Sequence, residues 1–87
     1  MKFNDIYISA EDRYSIGIEV DSGKYYISIP VSNGIVDYEE YYEITSTQYR
    51  NFVDNEANAV LFVEQCRRHE LDDLLIQKPG TNRGTPI

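Results

Sequence analysis

An α+β fold is predicted for this chain: an antiparallel β-meander of three to four strands, followed by two helices packed on one face. Three features of the 87-residue sequence predict it. Residues 14–44 alternate apolar and polar side chains with a period of two. Two turn-forming stretches, Asp21-Ser22-Gly23-Lys24 and Ser32-Asn33-Gly34, cut that run. Beyond Thr45 the apolar spacing changes to i, i+3, i+4, which is the helical period.

The first element is Phe3 to Ser9, with Ile6 and Ile8 on one side and Tyr7 on the other; it reads as a strand ended by the polar Glu11-Asp12. In the next strand Tyr14, Ile16, Ile18 and Val20 share one face, against Ser15, Gly17 and Glu19. After the first turn, Tyr25, Ile27, Ile29 and Val31 alternate with Tyr26, Ser28 and Pro30. Asn33-Gly34 then signals a tight hairpin, because both residues tolerate positive φ. A further strand runs from Ile35 to Ile44. If both turns are two-residue loops, Val20 pairs with Tyr25 and Ile16 with Ile29 in the first hairpin. Val31 then pairs with Val36, and Ile29 with Tyr38, in the second. Both registers put the apolar sets on the same face, as a single buried side requires. Glu40 alone misfits: it points inward, so a bulge near Glu39–Glu40 or a strand end beyond the covered core is expected.

Thr45 and Gln48 form a capping box for a helix carrying Tyr49, Phe52 and Val53 on one stripe. Asp54-Asn55 interrupts it. A second helix follows from Glu56 to Glu70, with Ala59, Phe62, Val63 and Cys66 facing inward and basic residues at its end, where they suit the helix dipole. Leu74-Leu75-Ile76 is a short apolar run, strand or helix end, with strand favoured. Residues 1–78 thus form one α+β domain. Residues 79–87, rich in Gly and Pro, read as an irregular C-terminal tail.

Charge narrows the functional classes. Fifteen acidic and eight basic residues leave a net charge of −7. Nucleic-acid binding needs clustered Lys and Arg, and anionic membranes attract basic segments, so neither partner is expected. No apolar run is long enough to span a bilayer, the N-terminus lacks a secretory signal, and a single cysteine cannot form an internal disulfide; a cytoplasmic protein is expected. Cys66 and His69 lie three apart on one helix, but no second Cys or His completes a structural zinc set. No phosphate-binding glycine loop is present, and adjacent acids on a strand point to opposite faces. The expectation is a protein without catalysis, metal or cofactor.

The outer face of the sheet is where the two compositional biases meet. Residues 1–45 hold nine of the fifteen acids, and seven of the eight tyrosines lie among them. In Tyr38-Glu39-Glu40-Tyr41-Tyr42-Glu43 the two signals coincide. Tyrosine supplies rigid amphipathic contact area, and charge of one sign steers an oppositely charged partner. Glu19, Tyr26, Asp37, Glu39, Tyr41 and Glu43 are therefore the candidate partner-binding residues, expected on one exposed face. The competing site is the tail, whose Lys78 and Arg83 could meet an acidic patch instead.

In size, acidity and this acidic-aromatic face, the chain resembles the small bacterial immunity proteins of colicin-type and contact-dependent growth inhibition systems. That resemblance implies a partner: a basic toxin domain, such as a nuclease, bound one-to-one and neutralised. Two other readings stand beside it, the first needing the same surface and the second using the apolar tail and helix face instead. One is an acidic nucleic-acid mimic that inhibits a DNA-binding enzyme. The other is a small regulatory or scaffold subunit.

Overall fold

In the computed structural model, which describes all 87 residues, the period-two run forms strands that pair in sequence order. They are β1 (Phe3–Ser9), β2 (Tyr14–Glu19), β3 (Tyr25–Ser32) and β4 (Asp37–Ile44), and every pairing is antiparallel. Two helices follow, α1 (Ser46–Asp54) and α2 (Glu56–Arg67), so the architecture is the α+β meander that the periodicities predict. Both helices pack on the face carrying Ile16, Ile27, Ile29, Val31 and Tyr42, none of which is accessible to solvent. Phe52 of α1 and Ala59, Phe62, Val63 and Cys66 of α2 complete this core.

The register differs from the expected one at both turns, by a longer loop in the first hairpin and a displaced two-residue loop in the second, and each difference is a shift of two. In the first hairpin Ile16 faces Ile27 and Ile18 faces Tyr25. The Glu19 N–H donates to the Lys24 carbonyl, so the loop spans Val20–Gly23. In the second, Val31 faces Tyr38 and Ile27 faces Tyr42. There the Asn33 N–H meets the Val36 carbonyl at 3.2 Å, and Gly34-Ile35 makes the turn. Gly34 alone takes a positive φ of 88°, while the Asn33 side chain accepts the N–H groups of Ile35 and Val36. An even shift leaves every side chain on its face, so the core survives the change. Its cost is local: Val20, Ile35 and Val36 lie in or beside loops and are exposed.

Other boundaries moved for identifiable reasons. The capping box forms as expected, with Thr45 and Gln48 exchanging bonds of 2.8 and 3.1 Å. Asn55 closes α1 and caps α2. Val53 turns outward, which narrows the α1 stripe to Phe52 and the half-buried Tyr49, whose ring stacks on Tyr25. The second helix stops at Arg67 rather than Glu70, because His69 enters the left-handed region with φ 60°. Paired bonds from His69 N–H to the Cys66 carbonyl and from Glu70 N–H to the Gln65 carbonyl then close the helix as a Schellman motif. Leu74–Ile76 divides between both expectations: Asp72–Leu74 is a 3-10 turn, and Leu75 bridges Tyr42 at the β4 edge.

Glu40 overturns its expectation. No bulge or strand end removes it; it lies within β4 opposite Ile29, and only 5 % of it is accessible. Arg83 neutralises it, donating from Nε at 2.8 Å and Nη2 at 3.1 Å while a second pair of bonds, 2.7 and 3.0 Å, reaches Asp72. The segment that carries Arg83 is therefore not wholly irregular. It leaves the β4 edge after Ile76, crosses beneath β4, and donates the Gly84 N–H to the Tyr38 hydroxyl at 2.6 Å. Residues Thr85–Pro86 then pair with β3 as a short strand, β5. Gly84 is obligatory at the crossing: a Cβ there would sit 2.6 Å from the Ser32 backbone.

Candidate functional site: the open face of the sheet

No helix covers the other face of the sheet. Alternation assigns to it Ser15, Gly17 and Glu19 of β2, Tyr26, Ser28 and Pro30 of β3, and Asp37, Glu39, Tyr41 and Glu43 of β4. The six candidate binding residues thus share one face, but they do not share its exposure.

Glu19 and Tyr26 are buried, which removes both from a contact surface. The reason for Glu19 is hydrogen bonding. Its carboxylate accepts the N–H groups of Lys2 at 2.9 Å, Asp21 at 3.1 Å and Ser22 at 2.8 Å, tying β1 to the first turn. Bonds from Ser22, then Lys2 and Asp21, hold this carboxyl down at about 2 against the opposing effect of burial. Tyr26 is covered because Gly17, beside it on β2, leaves room for its ring to lie flat across the sheet. Its hydroxyl donates to Asp5 at 2.5 Å. Phe3 meets Tyr26 edge-on at 5.4 Å and stacks on Tyr41 at 3.6 Å. These three rings form a second, small apolar cluster, apart from the main core.

The remaining four lie on β4. Asp37 and Glu43 are exposed, whereas Glu39 and Tyr41 are half-buried. Glu43 meets Lys24 at 3.5 Å, with both groups about half in solvent, a pair of little energetic weight. Asp37 and Glu39 form no ion pair. Burial raises the pKa of Glu39, and the nearby Asp5 charge pushes the same way. Tyr41 is also raised, mainly by burial, with the Glu39 and Asp5 charges adding to it. Like charge concentrated without compensation is what an external cation would relieve.

Two hollows flank Glu39. One, of about 290 Å³, lies on the open face between Ile8, Arg13, Ser15, Pro30 and Glu39. The other, of about 400 Å³, separates the β4 edge at Tyr38–Tyr41 from the chain at 77–82. Arg83, the competing contact residue, is committed inside to Glu40 and Asp72; Lys78 lines the second hollow. Sequence reasoning placed Ser28 and Pro30 on this face but missed Phe3 and Asp5. The phase of β1 hides these two, because a bulge at Ile6 shifts the register between Asp5 and Tyr7 and sends Tyr7 toward Tyr14 instead.

Elsewhere, Cys66 is buried in the core and its thiol is pushed up to about 12, chiefly by burial. His69 is spent on helix closure and lies exposed. No three of the His, Cys, Asp and Glu side chains converge on a point that could hold a metal ion. No helix is long and apolar enough to cross a membrane. Comparison with family models, with curated proteins and with solved structures finds no match.

Proposed function

We propose that this protein acts by binding rather than by catalysis, as an immunity protein that neutralises a basic toxin domain, such as a nuclease, in the cytoplasm of the cell that makes it. One observation carries the reading: Asp37, Glu39 and Glu43 project from a single strand around Tyr41, on a sheet face that no helix covers, with Lys24 as their one ion-pair partner. Phe3 fixes the Tyr41 ring by stacking, so the aromatic contact area is ordered before a partner arrives. Rigid aromatic anchors ringed by unpaired charge suit a tight, electrostatically steered complex.

The test is calorimetry and stopped-flow binding with a nuclease toxin domain encoded beside this gene, together with inhibition of its cleavage activity. One-to-one binding that abolishes cleavage is expected. Association should slow about tenfold or more in Asp37→Lys/Glu43→Lys, and also as salt is raised. Tyr41→Ala should act on dissociation instead. A complex whose rates ignore all three substitutions would place the interface elsewhere, and cleavage that continues at saturation would end the immunity reading.

A further inference from the structure

The smaller hollow on the open face has the chemistry of a side-chain receptor. Its floor is Ser15 and Pro30, Ile8 forms one wall, and Glu39 closes one end. Glu39 is half-buried and has no basic partner within the chain. Beside it, outside the lining of the hollow, stands Ser28. The Ser28 hydroxyl lies close enough to the Glu39 carboxyl to oppose its upward shift, yet it makes no hydrogen bond of good geometry and is 1 % accessible. A half-buried carboxylate that no basic group of the chain pairs with marks a place for a donor.

The rim is preformed. Arg67 reaches from α2 to the turn between β1 and β2, donating to the Asp12 carbonyl at 2.6 Å and the Arg13 carbonyl at 3.2 Å. That turn holds Arg13 at φ 56° and supplies the end of the hollow opposite Glu39. A receptor whose walls are already fixed loses little entropy on binding.

We propose that this hollow receives one arginine side chain of the partner, its guanidinium on Glu39 and its methylene stem against Ile8 and Pro30. Arginine fits better than lysine for a geometric reason. A planar fork of donors can engage both oxygens of a carboxylate in parallel, whereas an ammonium is a compact, strongly hydrated point charge. The apolar walls suit the stem of a long side chain whose head is charged. This inference rests on the binding reading above and names the contact at its centre.

The test uses the full chain and a small probe, so it needs no toxin. Acetyl-arginine amide is titrated into labelled protein by NMR, with acetyl-lysine amide and acetyl-norleucine amide as controls. Saturable shifts are expected at Ile8, Ser15, Ser28 and Glu39, with arginine binding more tightly than lysine and norleucine giving none. The Glu39 carboxyl should titrate at lower pH when the arginine probe is present. Glu39→Gln should weaken the probe at least tenfold, while Glu43→Gln leaves it unchanged. Shifts spread over Asp37 and Glu43 and indifferent to Glu39→Gln would overturn the proposal, as would equal binding of lysine. A nuclease that binds Glu39→Gln as tightly as the parent would also overturn it, while leaving the acidic-face reading intact. Arginine binding that depends on Glu39, in a protein that inhibits no nuclease, would keep the receptor and remove the immunity reading.

Discussion

Arg83→Ala strips the buried Glu40 of its counter-charge and leaves the Tyr42 hydroxyl, at 3.2 Å, as its only hydrogen-bond donor. Removing one partner of a buried pair costs about 3 to 5 kcal/mol, because the other charge remains in low dielectric. Urea unfolding of Arg83→Ala should show that loss, and Arg83→Met/Glu40→Met should be the more stable of the two. Glu19 gives the complementary case, satisfied by N–H groups rather than by a cation. Its folded carboxyl sits at about 2 against an ordinary 4.5, so the ionised form favours folding. That contribution is complete above about pH 4.5 and disappears as pH falls toward 2. In Glu19→Gln the melting temperature should therefore depend less on pH across this window. Alternation placed both carboxylates on the correct faces. It could not show that either is buried and paired, since the partners lie far along the chain or in the backbone of a turn.

Gly17→Ala tests how the open face is built. A Cβ at this position would press on the Asn4 carbonyl and the Tyr26 hydroxyl, closer than real carbon contacts. Overpacking of this kind costs about 1 to 3 kcal/mol, and here it should also displace Tyr26 from Asp5. Loss of the Phe3–Tyr41 ring-current shifts would report that displacement. On the helical side, Phe62→Ala should cost about 3 to 5 kcal/mol in denaturant unfolding, since Phe62 is buried against Phe52 at 5.2 Å. Strand existence, the helical capping box and the inward face of α2 were all legible, because each follows from local periodicity or a three-residue spacing. The length of the first turn and the position of the second were not. Asn33-Gly34 signals a hairpin strongly, but the Asn33 side chain stabilises a turn displaced by one residue, in which only Gly34 needs positive φ. The partial burial of the candidate site has a similar origin: β1 folds Phe3 over it, and the phase of β1 changes at an irregularity that alternation cannot reveal.

Across the whole molecule β3 is the hub, pairing with β2, β4 and β5 and facing both helices. The meander around it is made of contacts near in sequence, whereas residues 76–87 fasten onto it from far away; Arg83 and Glu40 are 43 positions apart. That strap has a temporal consequence. Contacts of long sequence separation require costly loop closure, so the hairpins should assemble first and the strap should dock after the rate-limiting step. Interactions absent from the transition state govern how fast a protein comes apart rather than how fast it forms. In stopped-flow refolding, Arg83→Ala should thus leave the folding arm nearly in place while raising the unfolding rate by a hundredfold or more, about the whole of its 3 to 5 kcal/mol. Lifetime, rather than attainment, of the folded state would then be the property that this distant arginine controls.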